Sequence, residues 1–126
     1  MSLNSSKVGP AIAVSDMAKA KEFYEGKLGL SNGQEQSDGG TTYPCGEGSE
    51  IHVYPSQNAG KSDATLAAFQ VDDIESEVDE LTQNGVSFER YEGFDQDEKG
   101  IATMGPDKVA WLRDPDGNTL GVWHQG

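Results

Sequence analysis

Val109-Ala110-Trp111-Leu112-Arg113, Asp114-Pro115-Asp116-Gly117-Asn118 and Thr119-Leu120-Gly121-Val122-Trp123 follow one another near the end of the chain, and their reading decides the fold. Two runs rich in β-formers flank five turn residues. Pro115 pre-sets φ at the first corner, Asp114 and Asn118 can bond back to nearby amides, and Gly117 accepts a positive φ. The stretch therefore predicts a strand, a tight turn and a second strand.

Upstream, a strand-then-helix pattern occurs twice. Val8 to Val14 is a short apolar run, Ser15-Asp16 supplies an N-cap, and Met17, Ala20, Phe23, Tyr24 and Leu28 recur at helical spacing before Gly29 stops the helix. Ser31 to Gly40 is polar and Gly-rich, enough for an edge strand and a turn. Thr41 to Tyr43 and Glu50 to Tyr54 read as strands around Cys45-Gly46-Glu47-Gly48. After a polar connector, Pro55 to Asp63, the pattern restarts. Ala64 to Val71 reads as a strand, Asp72-Asp73 as a cap, and Ile74, Val78 and Leu81 as the buried stripe of a helix ended by Asn84-Gly85. Val86 to Phe88, Ile101 to Thr103, Val109 to Leu112 and Thr119 to His124 complete the strands.

The halves align. Asp16 corresponds to Asp73 and Tyr24 to Leu81, an offset of about 57 residues with the order of elements kept. The expected fold is α+β, two βαβββ modules over residues 8–58 and 64–124 of a single domain, after a leader of residues 1–7.

Composition bounds the function. The chain has 126 residues and a formal charge of −13, from 9 Lys+Arg against 22 Asp+Glu. Phosphate backbones and anionic membrane surfaces need clustered cations, so neither nucleic acid nor a membrane is an expected partner. Cys45 is the single cysteine, which excludes an internal disulfide and a cysteine zinc cage and suits a reducing compartment. Met1 to Ser6 lacks the basic and apolar regions of a signal peptide, so the expected location is the cytoplasm.

Three segments carry the resemblance that follows. They are Val14-x-Asp16 with Phe23-Tyr24-x-x-x-Leu28-Gly29-Leu30, then Phe69-x-Val71-Asp72-Asp73-Ile74 with Leu81-x-x-x-Gly85-Val86-x-Phe88, and Ala110-Trp111-Leu112-Arg113-Asp114-Pro115-Asp116-Gly117-Asn118. Together with the duplication, the chain resembles the vicinal oxygen chelate superfamily, which includes glyoxalase I, extradiol dioxygenases, fosfomycin resistance enzymes and bleomycin resistance proteins. The resemblance covers Val8 to His124 and is strongest to small glyoxalase-like bacterial members. It implies that the modules form a curved, half-open mixed sheet, a cup with helices outside, and that the protein is a homodimer.

Metal-using relatives place ligands at four recurring points, which fall here at Gly9 or Pro10, at His52, at Leu66 or Ala64, and at Gly121. His52 alone has a donor side chain, whereas a catalytic divalent ion needs about three protein ligands. No cofactor is therefore expected. His52 stays a weak metal candidate, with Glu50 and His124 as conceivable companions.

Strand alternation puts Glu50, His52 and Tyr54 on one face, and Gly121 and Trp123 on one face with Trp111 on the partner strand. Aromatic faces with a few polar anchors are the usual lining of a small-molecule pocket. Glu50, His52, Tyr54, Trp111 and Trp123 are accordingly the expected ligand-binding residues. No catalytic constellation is evident, and the acidic stretch Tyr91 to Lys99, with Phe94 in it, reads as a solvated connection or a cover for a pocket mouth. The expected function is binding of a small organic molecule, cationic and aromatic by the acidity and the paired Trp. The competing expectation is a divalent-metal lyase, isomerase or dioxygenase.

Overall fold

The computed structural model describes residues 2–5 and 7–126; the expected leader of residues 1–7 falls partly outside them, at Met1 and Ser6. Ser2–Ser5 form a 3-10 turn. Two compact units follow, residues 1–60 and 61–126, each with the order strand, helix, three strands.

In the first unit β1 is Ala11–Val14, α1 Met17–Lys21, β2 Gln34–Glu35, β3 Thr41–Pro44 and β4 Glu50–Pro55. The sheet order is β1-β4-β3-β2, with β1 parallel to β4 and the other pairs antiparallel. Asp16 caps α1 through its carboxylate, which accepts from the amides of Ala18 and Lys19. Beyond Lys21 the helix widens into a π-helical turn, Glu22–Lys27, in which the Leu28 amide reaches back to the Phe23 carbonyl. Phe23 and Tyr24 of this turn are buried in the core, where their rings meet edge to face at 5.1 Å. The expectation of one regular helix to Leu28 is corrected in that respect. Gly29 follows at φ 79°, the left-handed turn that ends the helix.

In the second unit β5 is Thr65–Gln70, α2 Ile74–Gln83, β6 Ala102–Met104, β7 Asp107–Arg113 and β8 Thr119–His124. The order β5-β8-β7-β6 repeats that of the first sheet, again with the first and last strands parallel. Both sheets are open, and the α+β duplicated βαβββ fold is thus present. Val86 to Phe88, expected as a strand, makes a single bridge from Phe88 to Leu112. The Val86 amide is bonded to the Leu81 carbonyl in closing α2 and is not free to enter a ladder.

One face of each sheet packs on its helix. In the first, Ile12, Val14, Tyr43, Ile51 and Val53 are buried with Ala20, Phe23 and Tyr24; in the second, Ala110, Leu112, Leu120 and Val122 are buried with Ile74, Val78 and Leu81. The alternate residues of each sheet lie on the face away from the helix.

Tyr43 gives this core a pH limit. Its ring is buried and its hydroxyl donates to Glu25 Oε2 at 2.8 Å. Burial first, and then the Glu25 carboxylate, push the phenol well above its ordinary value of 10.0. The neutral form is favoured in the folded state, so this stabilisation is complete below the unfolded value and is lost as pH rises toward the folded one. Denaturant-melt stability is expected to hold to about pH 10 and then fall, with a shallower fall in Tyr43→Phe; an unchanged alkaline slope in that variant would contradict the assignment.

Candidate functional site

β4 presents Glu50, His52 and Tyr54 on the face away from α1. The imidazole of His52 lies nearly parallel to the Tyr54 ring, 6° between planes and 5.8 Å between centroids. Both ring nitrogens are engaged: Nδ1 meets Thr42 Oγ1 at 2.9 Å and Nε2 meets Asp38 Oδ2 at 2.7 Å. Thr42 is there because the β3–β4 register pairs it directly with His52. Asp38 is there because its Oδ1 accepts from the Gly40 amide at 2.8 Å, while Gly40 lies against β4 so tightly that a Cβ would sit 2.4 Å from the Val53 carbonyl oxygen. The hydrogen bond from His52, followed by that from Gly40, holds the Asp38 carboxyl below its ordinary value.

A cavity of about 250 Å³ opens at this end of the sheet, with Lys7, Gly9, Thr42, Ser49, Glu50 and His52 in its wall. Behind Glu50, the Cys45 thiol is pushed up by burial and then by the Glu50 charge, and it donates to the Tyr43 carbonyl.

The second sheet presents a different surface. Trp111 pairs with Gly121 and Val109 with Trp123 across β7 and β8, on the face away from α2. Gly121, the strand partner of Trp111, is buried, and a Cβ there would meet Ala68 and Thr65 at an ordinary contact distance of 3.6 Å. Tyr91 meets Trp111 edge to face at 5.3 Å, and Phe94 lies tilted against it at 5.0 Å. Phe94 is 44% exposed, so this aromatic cluster meets water. The stretch from Tyr91 to Lys99 is thus more than a solvated connection. Gln96 ties it down, accepting from the Tyr91 amide at 2.8 Å and donating to the carbonyls of Glu89 and Gly100.

The residues present do not fit a catalytic divalent ion. At Gly9 a Cβ would sit 2.6 Å from the Glu50 carbonyl oxygen, so that position cannot carry a ligand side chain as it stands. His52 spends both nitrogens on protein partners, and His124 Nδ1 bonds the Val71 carbonyl. Among the described residues no group of three or more His, Cys, Asp or Glu is placed to hold a metal.

Sequence reasoning missed Asp38, Thr42, Tyr91 and Gln96. Thr42 could have been found from the register of the β3–β4 hairpin, and Tyr91 with Phe94 from two aromatic residues in an otherwise acidic stretch. Asp38 and Gln96 leave no periodic signal.

A βαβββ order repeated in two units, each with an open four-stranded sheet, defines the class of fold. The model of the Glyoxalase/Bleomycin resistance protein/Dioxygenase superfamily matches residues 8–122, and the chain belongs to that superfamily. Among solved structures, an antibiotic binding protein from Streptomyces sp. CB03234 is similar at a TM-score of 0.75 and 22% identity, covering 100% of this chain and 99% of the other. A glyoxalase/bleomycin resistance protein from the same organism gives 0.70 and 23%, covering 93% and 98%. A glyoxalase/bleomycin resistance protein/dioxygenase from Alicyclobacillus acidocaldarius gives 0.71 and 18%, covering 99% and 95%. No curated protein matches the chain. Among the described residues no helix is long and apolar enough to cross a membrane.

Proposed function

We propose that this protein binds a small cationic, aromatic organic molecule without a catalytic metal, as a homodimer in the cytoplasm. The carrying observation is the water-facing cluster of Trp111, Tyr91 and Phe94, in which Trp111 has Gly121 as its strand partner. Such a surface holds a flat ligand by stacking, and a cationic one gains further from the aromatic faces and from the charge of −13. Trp123 extends the surface along β8. Glu50, His52 and Tyr54 are proposed ligand contacts of the first sheet, where carboxylate and ring faces likewise favour a cation. That one structural relative is described as an antibiotic binding protein supports the reading.

The test is a thermal-shift panel of cationic aromatic compounds, bleomycin included, on protein purified without a metal-affinity tag and assayed for bound metal. A binder present at about 100 times its Kd stabilises by about 2.7 kcal/mol, a readily measured rise in Tm. Stabilisation by at least one compound with no stoichiometric Zn, Ni, Fe or Mn is the expected result. Silence across the panel, or binding that vanishes with chelator, would overturn it.

A further inference from the structure

We propose that Thr42, His52 and Asp38 act as nucleophile, base and orienting acid, giving the first unit a hydrolytic activity toward activated esters that carry no negative charge. With the imidazole of His52 neutral, the hydrogen-bond chain has one consistent direction. Asp38 is an ionised acceptor, fixed by the Gly40 amide at 2.8 Å, so His52 Nε2 at 2.7 Å carries the hydrogen. In the neutral tautomer this leaves Nδ1 bare, and Thr42 Oγ1, 2.9 Å away, donates to it. A hydroxyl bonded to a base that is itself oriented by a third group is the arrangement of an activated nucleophile. Thr42 and His52 both line the 250 Å³ cavity, which gives a substrate access to them. The carboxylates of Glu50 in its wall and of Asp38 disfavour an anionic substrate, and Lys7 is the cation available there to a developing oxyanion.

In the first step Thr42 Oγ1 attacks the ester carbonyl carbon as its proton passes to His52 Nδ1, and Asp38 faces the resulting imidazolium. The bond to the leaving oxygen breaks, that oxygen takes the proton from Nδ1, and alcohol departs from acyl-Thr42. Water then adds to the acyl carbon with its proton going to Nδ1. The Thr42 oxygen leaves, recovers that proton, and a carboxylic acid is released. Because His52 is 25% exposed, water competes with the relay, and the acceleration belongs at the low end for general-base catalysis, about 100-fold.

The whole protein is assayed with p-nitrophenyl acetate, and acid-quenched samples are digested for mass spectrometry. Saturable hydrolysis is expected at about 100-fold the rate of Thr42→Val or His52→Gln, with an acetyl group on the peptide containing Thr42. Asp38→Asn should lower kcat about tenfold with KM little changed, and Thr42→Ser should retain activity and the adduct even if Thr42→Val folds poorly. No rate above buffer, equal rates in wild type and folded Thr42→Val, or turnover without an acetylated Thr42 would each overturn the proposal. Glu50 and His52 are also proposed ligand contacts, but stacking at Trp111 plays no part in this chemistry, so hydrolysis and binding at the Trp111 surface fail separately.

Discussion

Replacing Trp111 with alanine is expected to weaken binding of a cationic aromatic ligand by about 30-fold or more, the equivalent of losing about 2 kcal/mol at the centre of a contact surface. Trp111 is where three rings converge, and its partner across the strands is Gly121, which raises no wall beside it. Stability should fall as well, by about 1–3 kcal/mol, because Tyr91 and Phe94 each lose an aromatic neighbour. Binding is therefore measured by calorimetric titration at a temperature where circular dichroism shows the variant folded. Trp111→Phe keeps a stacking face and should recover most of the affinity. An alanine variant that binds as tightly as wild type would place the ligand elsewhere and remove the main support for the proposed function.

The fold was legible because its signals are local and redundant. Asp16 and Asp73 cap their helices, the stripe Ile74, Val78 and Leu81 is buried as spaced, and Gly29 takes its positive φ. The period of two along β4 likewise suffices to put Glu50, His52 and Tyr54 on one face. What stayed hidden depends on tertiary geometry. The position of Asp38 follows from the tight approach of Gly40 to β4, which no pattern of residue types announces. The ring cluster around Trp111 exists because one side-chain amide, Gln96, satisfies three backbone groups of an irregular segment. The π-helical turn at Glu22–Lys27 was invisible for a related reason: Ala20, Phe23 and Tyr24 are spaced as in a regular helix, so the pattern of residue types does not tell the wider turn from it.

Asp114→Ala is expected to cost about 3 kcal/mol, or roughly 10 °C in Tm, a large loss for a substitution in a turn. Asp114 is only 5% exposed and Asn118 2%. One carboxylate oxygen accepts from the amides of Asp116 and Asn118 at 3.0 and 2.9 Å, and the other accepts from Asn118 Nδ2 at 2.9 Å. Alanine leaves those donors without their acceptor. The Asp116 amide can recover a water, but those of Asn118 lie where water reaches poorly, and each buried unsatisfied donor costs about 1–3 kcal/mol. Asp114→Asn keeps one acceptor oxygen and should lose less. A loss below about 1 kcal/mol in Asp114→Ala would show that the strands hold the turn, and not the reverse. The consequence reaches the ligand surface, because this turn sets the register that pairs Trp111 with Gly121. A slip of one residue would carry Trp111 to the face that packs on α2, since side chains alternate along a strand. Asp114 thus holds Trp111 on the open face without touching it, and in Asp114→Ala affinity and stability should fall together.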